Sequence, residues 1–205
     1  MQDIMTATIY TVKTIFEEVR AEVGHAYSDL IVDKPVPNIL DISVSYDGSW
    51  MTRGHTSAYD VGCVIDMLTG YVIDYIVKSK YCQKCTMKET TLGKNSQELT
   101  SWKETHAPDF DINHYGSSGS MEMDAAVELW QRSECYGFRY KTLLSDGDAK
   151  TLLKLNEVKP YGQGFTIVKE ECVNHVGKRL GTALHNAVLH WRSQNVTLGG
   201  RNMEL

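Results

Sequence analysis

The chain has 205 residues, of which 42% are hydrophobic and 23% are charged, as is typical of a globular protein that is long enough for one substantial core. No stretch approaches the roughly 20 consecutive apolar residues of a membrane span, and the N-terminus lacks the features of a signal peptide, so a nuclear or cytoplasmic protein with no membrane partner is expected. The formal net charge of −5 excludes a uniformly basic nucleic-acid-binding protein, and contact with DNA would need a local basic face or a neighbouring domain.

The first part of the chain predicts one helix and then three strands. Apolar residues at helical spacing over residues 8–23 predict an amphipathic helix. Pro35 and Pro37 end this segment, so residues 1–37 are expected to form an N-terminal helix and linker before a main domain at 38–205. Alternating polar and apolar residues then predict an antiparallel meander of three strands, at about 39–47, 58–66 and 71–78.

A polar segment at about 81–115 interrupts this pattern and is expected to be a loop-rich insertion. Ser120 is then expected to cap a helix. The remaining elements are expected to be a strand at 138–146, a helix at 148–157, a strand at 165–170 and a helix at 174–192, which begins a C-terminal helical segment at 174–205. Leu152 and Leu153 are expected to face inward, and the last helix has the clearest apolar stripe, which is expected to be buried.

This order of elements predicts an α/β protein with a five-stranded mixed sheet flanked by helices. It is the element order of a ribonuclease-H-like fold, here with a small Cys/His insertion that has the features of a zinc knuckle. The first and fourth strands are neighbours in that fold.

Two of the predicted strands end in an aspartate followed by glycine, at Asp47 and Asp146. If these strands are neighbours, the two carboxylates meet at one sheet edge, where they could hold the two metal ions that promote phosphodiester cleavage. Mg²⁺ or Mn²⁺ prefers such oxygen ligands, and Asp148 is either a further ligand or a helix cap. The alternative is that Asp-Gly forms an ordinary turn at a strand end.

The five cysteines are expected to be thiols or metal ligands rather than disulfides, because no secretion signal precedes them. Cys82 and Cys85 have the spacing of half a structural zinc site. His106 is a third candidate ligand in the same polar segment, which needs some constraint beyond its few apolar residues, and Zn²⁺ would supply one. The alternative is two free thiols and an unrelated histidine.

Five motifs occur in an order that resembles the Mutator-like transposase domain: SYDGSWMTRGH at 45–55, YCQKC at 81–85, GSSGSME at 116–122, LLSDGDAKT at 143–151 and ECVNHVGKRLGTAL at 171–184. The resemblance runs from about Asp41 to the C-terminus. It implies a ribonuclease-H-like core of the DDE/D type, which nicks and transfers DNA strands at transposon ends or targets. It also implies that Asp47 and Asp146 are the first two catalytic acids.

The chain departs from the family pattern in two places. The third acid of such transposases lies beyond the fifth strand, where Glu170 and Glu171 are the only acids near the expected sheet edge and Glu171 is the candidate. The family also has a further cysteine near the position of Phe110, which cannot bind a metal. The fourth zinc ligand is left open among Asp109, Asp111 and His114.

Cys172 and His175 resemble the C-x2-H element that several DDE transposase families carry after the fifth strand. They are either half of a second metal site or a buried thiol and a histidine near a helix N-terminus. Arg53 and His55 either face a bound phosphate or belong to a polar hairpin. A basic face on the last helix either contacts DNA or is simply solvated.

The leading hypothesis is a transposase-derived core that nicks or transfers DNA strands with divalent metal. Its third acid is expected to lie beyond the given sequence, so an incomplete or inactive core is also expected. The alternative is a non-catalytic, zinc-stabilised module that binds DNA or protein. An unrelated metal hydrolase using Asp146 and Asp148 would leave the C-x2-C and GSSG motifs unexplained. The N-terminal helix could pair two chains in a homodimer.

Overall fold

The computed structural model describes residues 2–52, 57–145, 150–171 and 173–196, with the backbone alone at 2–5, 109, 174 and 175. The helices are α1 (Gln2–Asp29), α2 (Gln83–Leu92), α3 (Gln97–His106), α4 (Ser118–Ser133), α5 (Lys150–Val158) and α6 (Val173–Ser193). The strands are β1 (Leu40–Trp50), β2 (Tyr59–Asp66), β3 (Val72–Ser79), β4 (Phe138–Ser145) and β5 (Val168–Glu171). Of the helices in this part of the chain, none combines the length and the apolar character that crossing a bilayer requires.

The five strands form one mixed sheet in the order β3-β2-β1-β4-β5. The first three strands form the predicted antiparallel meander. β4 pairs with β1 and β5 pairs with β4, both in parallel. The predicted α/β class, the five-stranded mixed sheet and the pairing of the first and fourth strands are therefore confirmed.

Helix α4 packs on the sheet and connects the two halves of the fold. Its inward face, which includes Ala125 and Trp130, has no exposed surface. The hydroxyl group of Tyr46, on β1, donates a 2.7 Å hydrogen bond to the carbonyl oxygen of Glu122, and the Trp130 indole N–H donates one of 3.0 Å to the carbonyl oxygen of Tyr140, on β4. The same helix thus fixes both members of the β1–β4 pair.

A buried carboxylate joins α1 and α4 to the edge strand β3. Asp74 is 3% exposed. It accepts hydrogen bonds from Arg132 at 2.8 and 2.9 Å and lies 3.3 Å from the guanidinium group of Arg20. Because breaking a buried ion pair leaves an uncompensated charge, these contacts hold both helices firmly against the strand.

Side chains also bind the outward carbonyl groups of β3. Arg20 donates to the oxygen of Ile73 at 2.8 Å, Arg132 to that of Tyr75 at 2.6 Å, and Asn113 to that of Val77 at 2.8 Å. The Asn113 side-chain oxygen also accepts from the Ser79 backbone N–H at 2.7 Å. Polar groups along this edge are thus paired with side chains of the same chain.

The expectation of a loop-rich insertion is wrong, because 81–115 contains α2, α3 and a 3₁₀ turn at Ala107–Asp109. Helical periodicity is weak here because few side chains are buried: Cys85 in α2, and Leu99 and His106 in α3. Local hydrogen bonds support the helices instead. The Ser96 side chain caps α3 by accepting from the Leu99 N–H.

Three further expectations are wrong in detail. Ser117, not Ser120, caps α4, because its side chain accepts from the Ser120 N–H. In α5 the fully buried residue is Leu155, whereas Leu153 is 66% exposed. The apolar stripe of α6 is exposed, with Leu180 and Leu184 both at 59%, since α6 leaves the sheet after β5 and makes no extensive contact with the other described elements.

Gly62 lies where α4 packs closely against the sheet, so a substitution there tests this packing. A Cβ atom at this position would lie 2.9 Å from the Tyr46 hydroxyl oxygen and 3.3 Å from the Ala125 Cβ. We expect Gly62→Ala to lower the free energy of unfolding by about 1–3 kcal/mol, as overpacking does in cores. Urea unfolding would measure the change. The matched control is Gly119→Ala in α4, where the nearest atom is 3.9 Å away, and an equal loss in both variants would contradict the packing account.

Candidate metal centres

Asp47 lies in β1 rather than at its end, since the strand continues to Trp50. Its side chain is exposed and it pairs with Cys63 of β2, on the sheet face opposite α4. The β1–β4 register runs as far as Ser45 opposite Leu144. The described part of β4 ends at Ser145, and Asp146 and Asp148, like Arg53 and His55, lie outside the described residues.

Glu171 ends β5 directly beside the end of β4, because it pairs with Ser145. Its carboxylate is not free: it lies 2.8 Å from the amino group of Lys169 and 2.6 Å from the guanidinium group of Arg179. The hydrogen bond from Lys169 lowers the pKa of Glu171 most, and the hydrogen bond from Arg179 lowers it further. Arg179, one of the predicted basic residues of α6, is therefore engaged at the sheet edge. Glu170 pairs with Leu144.

The predicted ligands Cys82, Cys85 and His106 come together. Their ligand atoms all lie within 4.8 Å of one another, and all three residues are buried. Cys82 immediately precedes α2, Cys85 is in its first turn, and His106 is the last residue of α3. The Cys82 Sγ and His106 Nε2 atoms are 3.5 Å apart, so the packing of two helices creates the cluster.

The two thiols of this cluster differ electrostatically. Burial raises the pKa of Cys82, but hydrogen bonds from the backbone N–H groups of Asp111 and Cys85, and from His106, lower it to about 7. Burial and the adjacent Cys82 thiolate raise the pKa of Cys85 to about 11. A metal ion binds the thiolate form of both. Two sulfurs and one imidazole nitrogen are the ligand types that Zn²⁺ prefers, so the donor set fits the ion.

Neighbouring side chains fix the imidazole of His106. The Trp102 ring lies beside it at a tilt of 33°, with ring centroids 4.5 Å apart, and Phe110 contacts it edge-on at 5.2 Å. Phe110 therefore packs against the candidate ligand His106 and is not itself a ligand. Asp111 has an exposed side chain and contributes its backbone N–H to Cys82, while the side chain of Asp109 is outside the described set.

His114 does not join this cluster. Its Nε2 atom lies 3.1 Å from both the Ser117 carbonyl oxygen and the Ser120 hydroxyl, and its Nδ1 atom lies 3.2 Å from the Asp124 carboxylate. The residue thus supports the N-terminus of α4. Gly116 leaves room for it, because a Cβ atom there would lie 2.7 Å from Nε2.

Two of the remaining cysteines, Cys63 and Cys135, are among the described residues. Cys172 and the side chain of His175 lie outside the described residues. Cys63 is half-buried on β2 and Cys135 is exposed after α4, both as free thiols. Cys135 is exposed because it lies in the 3₁₀ turn Glu134–Tyr136, which follows α4 at the surface.

Asp60 is a buried acid that was not among the residues predicted from the sequence. It is fully buried on β2, and neither carboxylate oxygen has a hydrogen-bond partner among the described residues. Burial raises the pKa of Asp60, and the charge of Asp47 raises it further. The backbone N–H of Val61 and the charge of His114 lower it in part. The Val61 N–H is not placed well enough to form a hydrogen bond with the carboxylate. Asp60 shares the inward face of β2 with Gly62, Val64 and Asp66. This alternation was the sequence pattern that could have indicated its burial.

The structure is that of an α/β protein with a helical insertion that carries a Cys₂His cluster, whose donor set is compatible with Zn²⁺. The chain belongs to the Mutator-like transposase family, which it matches over residues 8–203. No curated protein and no solved structure matches it.

Metal analysis tests the Cys₂His centre. We expect about one Zn²⁺ per chain in the wild-type protein, and a chelator should lower the melting temperature because the ion holds together an insertion with few buried side chains. Cys82→Ser and His106→Ala should each lose the metal and melt at the lower temperature without chelator. The matched control is Cys135→Ser, which should keep it. Equal zinc content in wild type and Cys82→Ser would refute the assignment.

Proposed function

We propose that this chain is a ribonuclease-H-like catalytic core derived from a transposase, and that it nicks or transfers DNA strands with Mg²⁺ or Mn²⁺. The parallel pairing of β1 with β4 is the observation that carries the proposal. If the register continues beyond Ser45 and Leu144, Asp47 comes opposite Asp146. The strand order β3-β2-β1-β4-β5 and the helices α4 and α5 support the same fold.

In this proposal Asp47 and Asp146 hold the metal, with Asp148 as a further candidate ligand. Two bound divalent ions would stabilise the attacking and leaving oxygens of a phosphodiester. The exposed carboxylate of Asp47 lies on the face opposite α4, which leaves room for a nucleic-acid backbone. The partner is thus DNA, at transposon ends or at a target, and the expected location is the nucleus.

Glu171 is our candidate for the third acid, because it pairs with the last described residue of β4. Its present partners, Lys169 and Arg179, neutralise it. Since the Glu171 side chain is 42% exposed, these ion pairs are of the weak surface kind and can be exchanged for a metal ion. Catalysis by this chain would require that exchange.

The second candidate function is a zinc-stabilised module that binds DNA or protein without cleaving it. The neutralised carboxylate of Glu171 favours this alternative, because a core with only two acids available binds metal weakly. The Cys₂His centre then has a structural role, and the exposed apolar residues of α1, such as Ile9 at 51% and Ile15 at 51%, offer a surface for pairing two chains.

Cleavage of supercoiled plasmid and of linear duplex ends distinguishes these functions. We expect Mn²⁺-dependent nicking by the wild-type protein, reduced by more than about 100-fold in Asp47→Asn and Asp146→Asn, since outer-shell changes at metal sites alone cost about 10- to 100-fold. Asp41→Asn is the matched control, because Asp41 lies at the other end of β1 and binds Lys141.

Three results separate the outcomes. Nicking that is equal in the wild type and in both variants would remove Asp47 and Asp146 from the site. Zinc binding and a gel shift with DNA, in the absence of nicking, would support the binding module. If Glu171→Gln loses nicking while DNA binding is retained, Glu171 is the third acid.

A further inference from the structure

Ser120, His114 and Asp124 form a cluster that the proposed catalytic site does not use. The Ser120 hydroxyl oxygen lies 3.1 Å from His114 Nε2, and His114 Nδ1 lies 3.2 Å from the Asp124 carboxylate. A hydroxyl group, an imidazole and a carboxylate in this order are the arrangement that activates a serine as a nucleophile. The cluster spans the GSSGSME motif at 116–122, for which the proposed DNA-cleaving site gives no chemical role.

The imidazole of His114 is oriented by its two neighbours. The residue is 5% exposed, and its Nδ1 atom faces the Asp124 carboxylate. Because an ionised carboxylate only accepts hydrogen bonds, Nδ1 carries a proton, and the neutral ring then has its lone pair on Nε2. Of the two groups that contact Nε2, the Ser117 carbonyl and the Ser120 hydroxyl, only the hydroxyl can donate. His114 is thus placed to accept the Ser120 proton.

The Ser120 hydroxyl group has a second acceptor within reach. Its oxygen lies 2.9 Å from the carbonyl oxygen of Ser117, as well as 3.1 Å from His114 Nε2. The Ser117 hydroxyl donates to this oxygen at 3.3 Å and accepts from the Ser120 backbone N–H at 3.2 Å. Rotation about the Cβ–Oγ bond moves the Ser120 proton from the carbonyl to the imidazole, so the serine–histidine pair forms without a change in the backbone.

The N-terminus of α4 adds hydrogen-bond donors beside Ser120. The Ser120 N–H binds the Ser117 side chain, and the N–H groups of Ser118 and Gly119, in the same first turn, have no acceptor within the helix. Donors at the positive end of a helix dipole stabilise the oxyanion of a tetrahedral intermediate. Gly119 is exposed, and a Cβ atom there would meet no other atom closer than 3.9 Å, so this side of the turn is open to a small substrate.

We propose that Ser120 is a nucleophile that hydrolyses small carboxylic esters, with His114 as general base and acid and Asp124 as the residue that positions His114. The Ser120 Oγ atom forms a bond to the ester carbonyl carbon, and its proton passes to His114 Nε2. The ester C–O bond then breaks, and His114 gives the proton to the leaving alcohol. Water, deprotonated by His114, attacks the acyl-serine and releases the carboxylic acid, and the proton returns to Ser120 Oγ.

A fluorophosphonate probe tests this directly, because it reacts with activated serines. We expect the zinc-loaded wild-type protein to be labelled at Ser120, as mapped by peptide mass spectrometry, and to hydrolyse p-nitrophenyl acetate. Ser120→Ala should lose the label and hydrolyse the ester at least about tenfold more slowly. The matched control is Ser101→Ala, which removes an exposed serine hydroxyl from α3 and should behave as the wild type does.

Variants of His114 and Asp124 separate catalysis from a structural role of the same contacts. His114→Ala should lose the label, and added imidazole should restore it, because the free base replaces the missing ring; a structural histidine would not give this recovery. Asp124→Asn should slow labelling at least about tenfold, since the amide no longer favours the proton on Nδ1, and Asp124→Glu should recover most of the rate. The Asp124 side chain is 49% exposed, so its variants remain informative if His114→Ala folds poorly.

Three results would overturn the inference: no label on the wild type, a label only at other residues, or equal ester hydrolysis by the wild type and Ser120→Ala. The Asp47→Asn variant separates this site from the proposed DNA-cleaving one. It should keep the label at Ser120 even if it abolishes nicking, so the two proposals can fail independently.

Discussion

The parallel pairing of β1 with β4 is the constraint on which the rest of this structure depends. The two strands are separated along the chain by the meander, the helical insertion and α4, and parallel strands can pair only through such a crossover. Helix α4 makes the pairing possible, because it hydrogen-bonds to β1 through Tyr46 and to β4 through Trp130. Gly62 permits the close approach, since a side chain there would meet the Tyr46 hydroxyl group.

The candidate metal-binding groups fall into two kinds of environment. Cys82, Cys85 and His106 belong to an insertion whose helices contact mainly each other, where the ligands themselves form much of the buried interior. Asp47 and Glu171 lie on the sheet, where backbone ladders position them and solvent reaches their carboxylates. The first arrangement suits an ion that stabilises a fold, whereas the second suits an ion that exchanges ligands during a reaction.

The sequence predicted the elements with strong periodicity and missed features that depend on three-dimensional context. The alternation in β1 and β2 and the apolar stripe of α4 were sufficient for the sheet and its main helix. The helices of the insertion were missed because they bury few side chains, Cys85 in α2 and Leu99 and His106 in α3, and so have no apolar stripe. The stripe of α6 predicted burial, but periodicity cannot indicate whether a partner surface is present.

Candidate site residues, too, were predicted from local patterns and missed where they depend on three-dimensional context. The C-x2-C spacing located two members of the Cys82–Cys85–His106 cluster, and the third was predicted because it shares the polar segment. The role of His114 could not be predicted, because only the folded chain brings Asp124 and Ser117 to its ring. Asp60 was missed because an aspartate in a strand normally indicates an exposed position.

The pairing of Arg20, Arg132 and Asn113 with the carbonyl groups of β3 has a consequence for assembly. An edge strand with free backbone groups is a template on which another chain can add a strand, and this leads to uncontrolled aggregation. Here the template is occupied by side chains that also hold α1 and α4 in place, so exposing it would require breaking the buried contacts of Asp74. The sheet is therefore protected from strand addition on the β3 side, and any binding partner would have to contact its other surfaces.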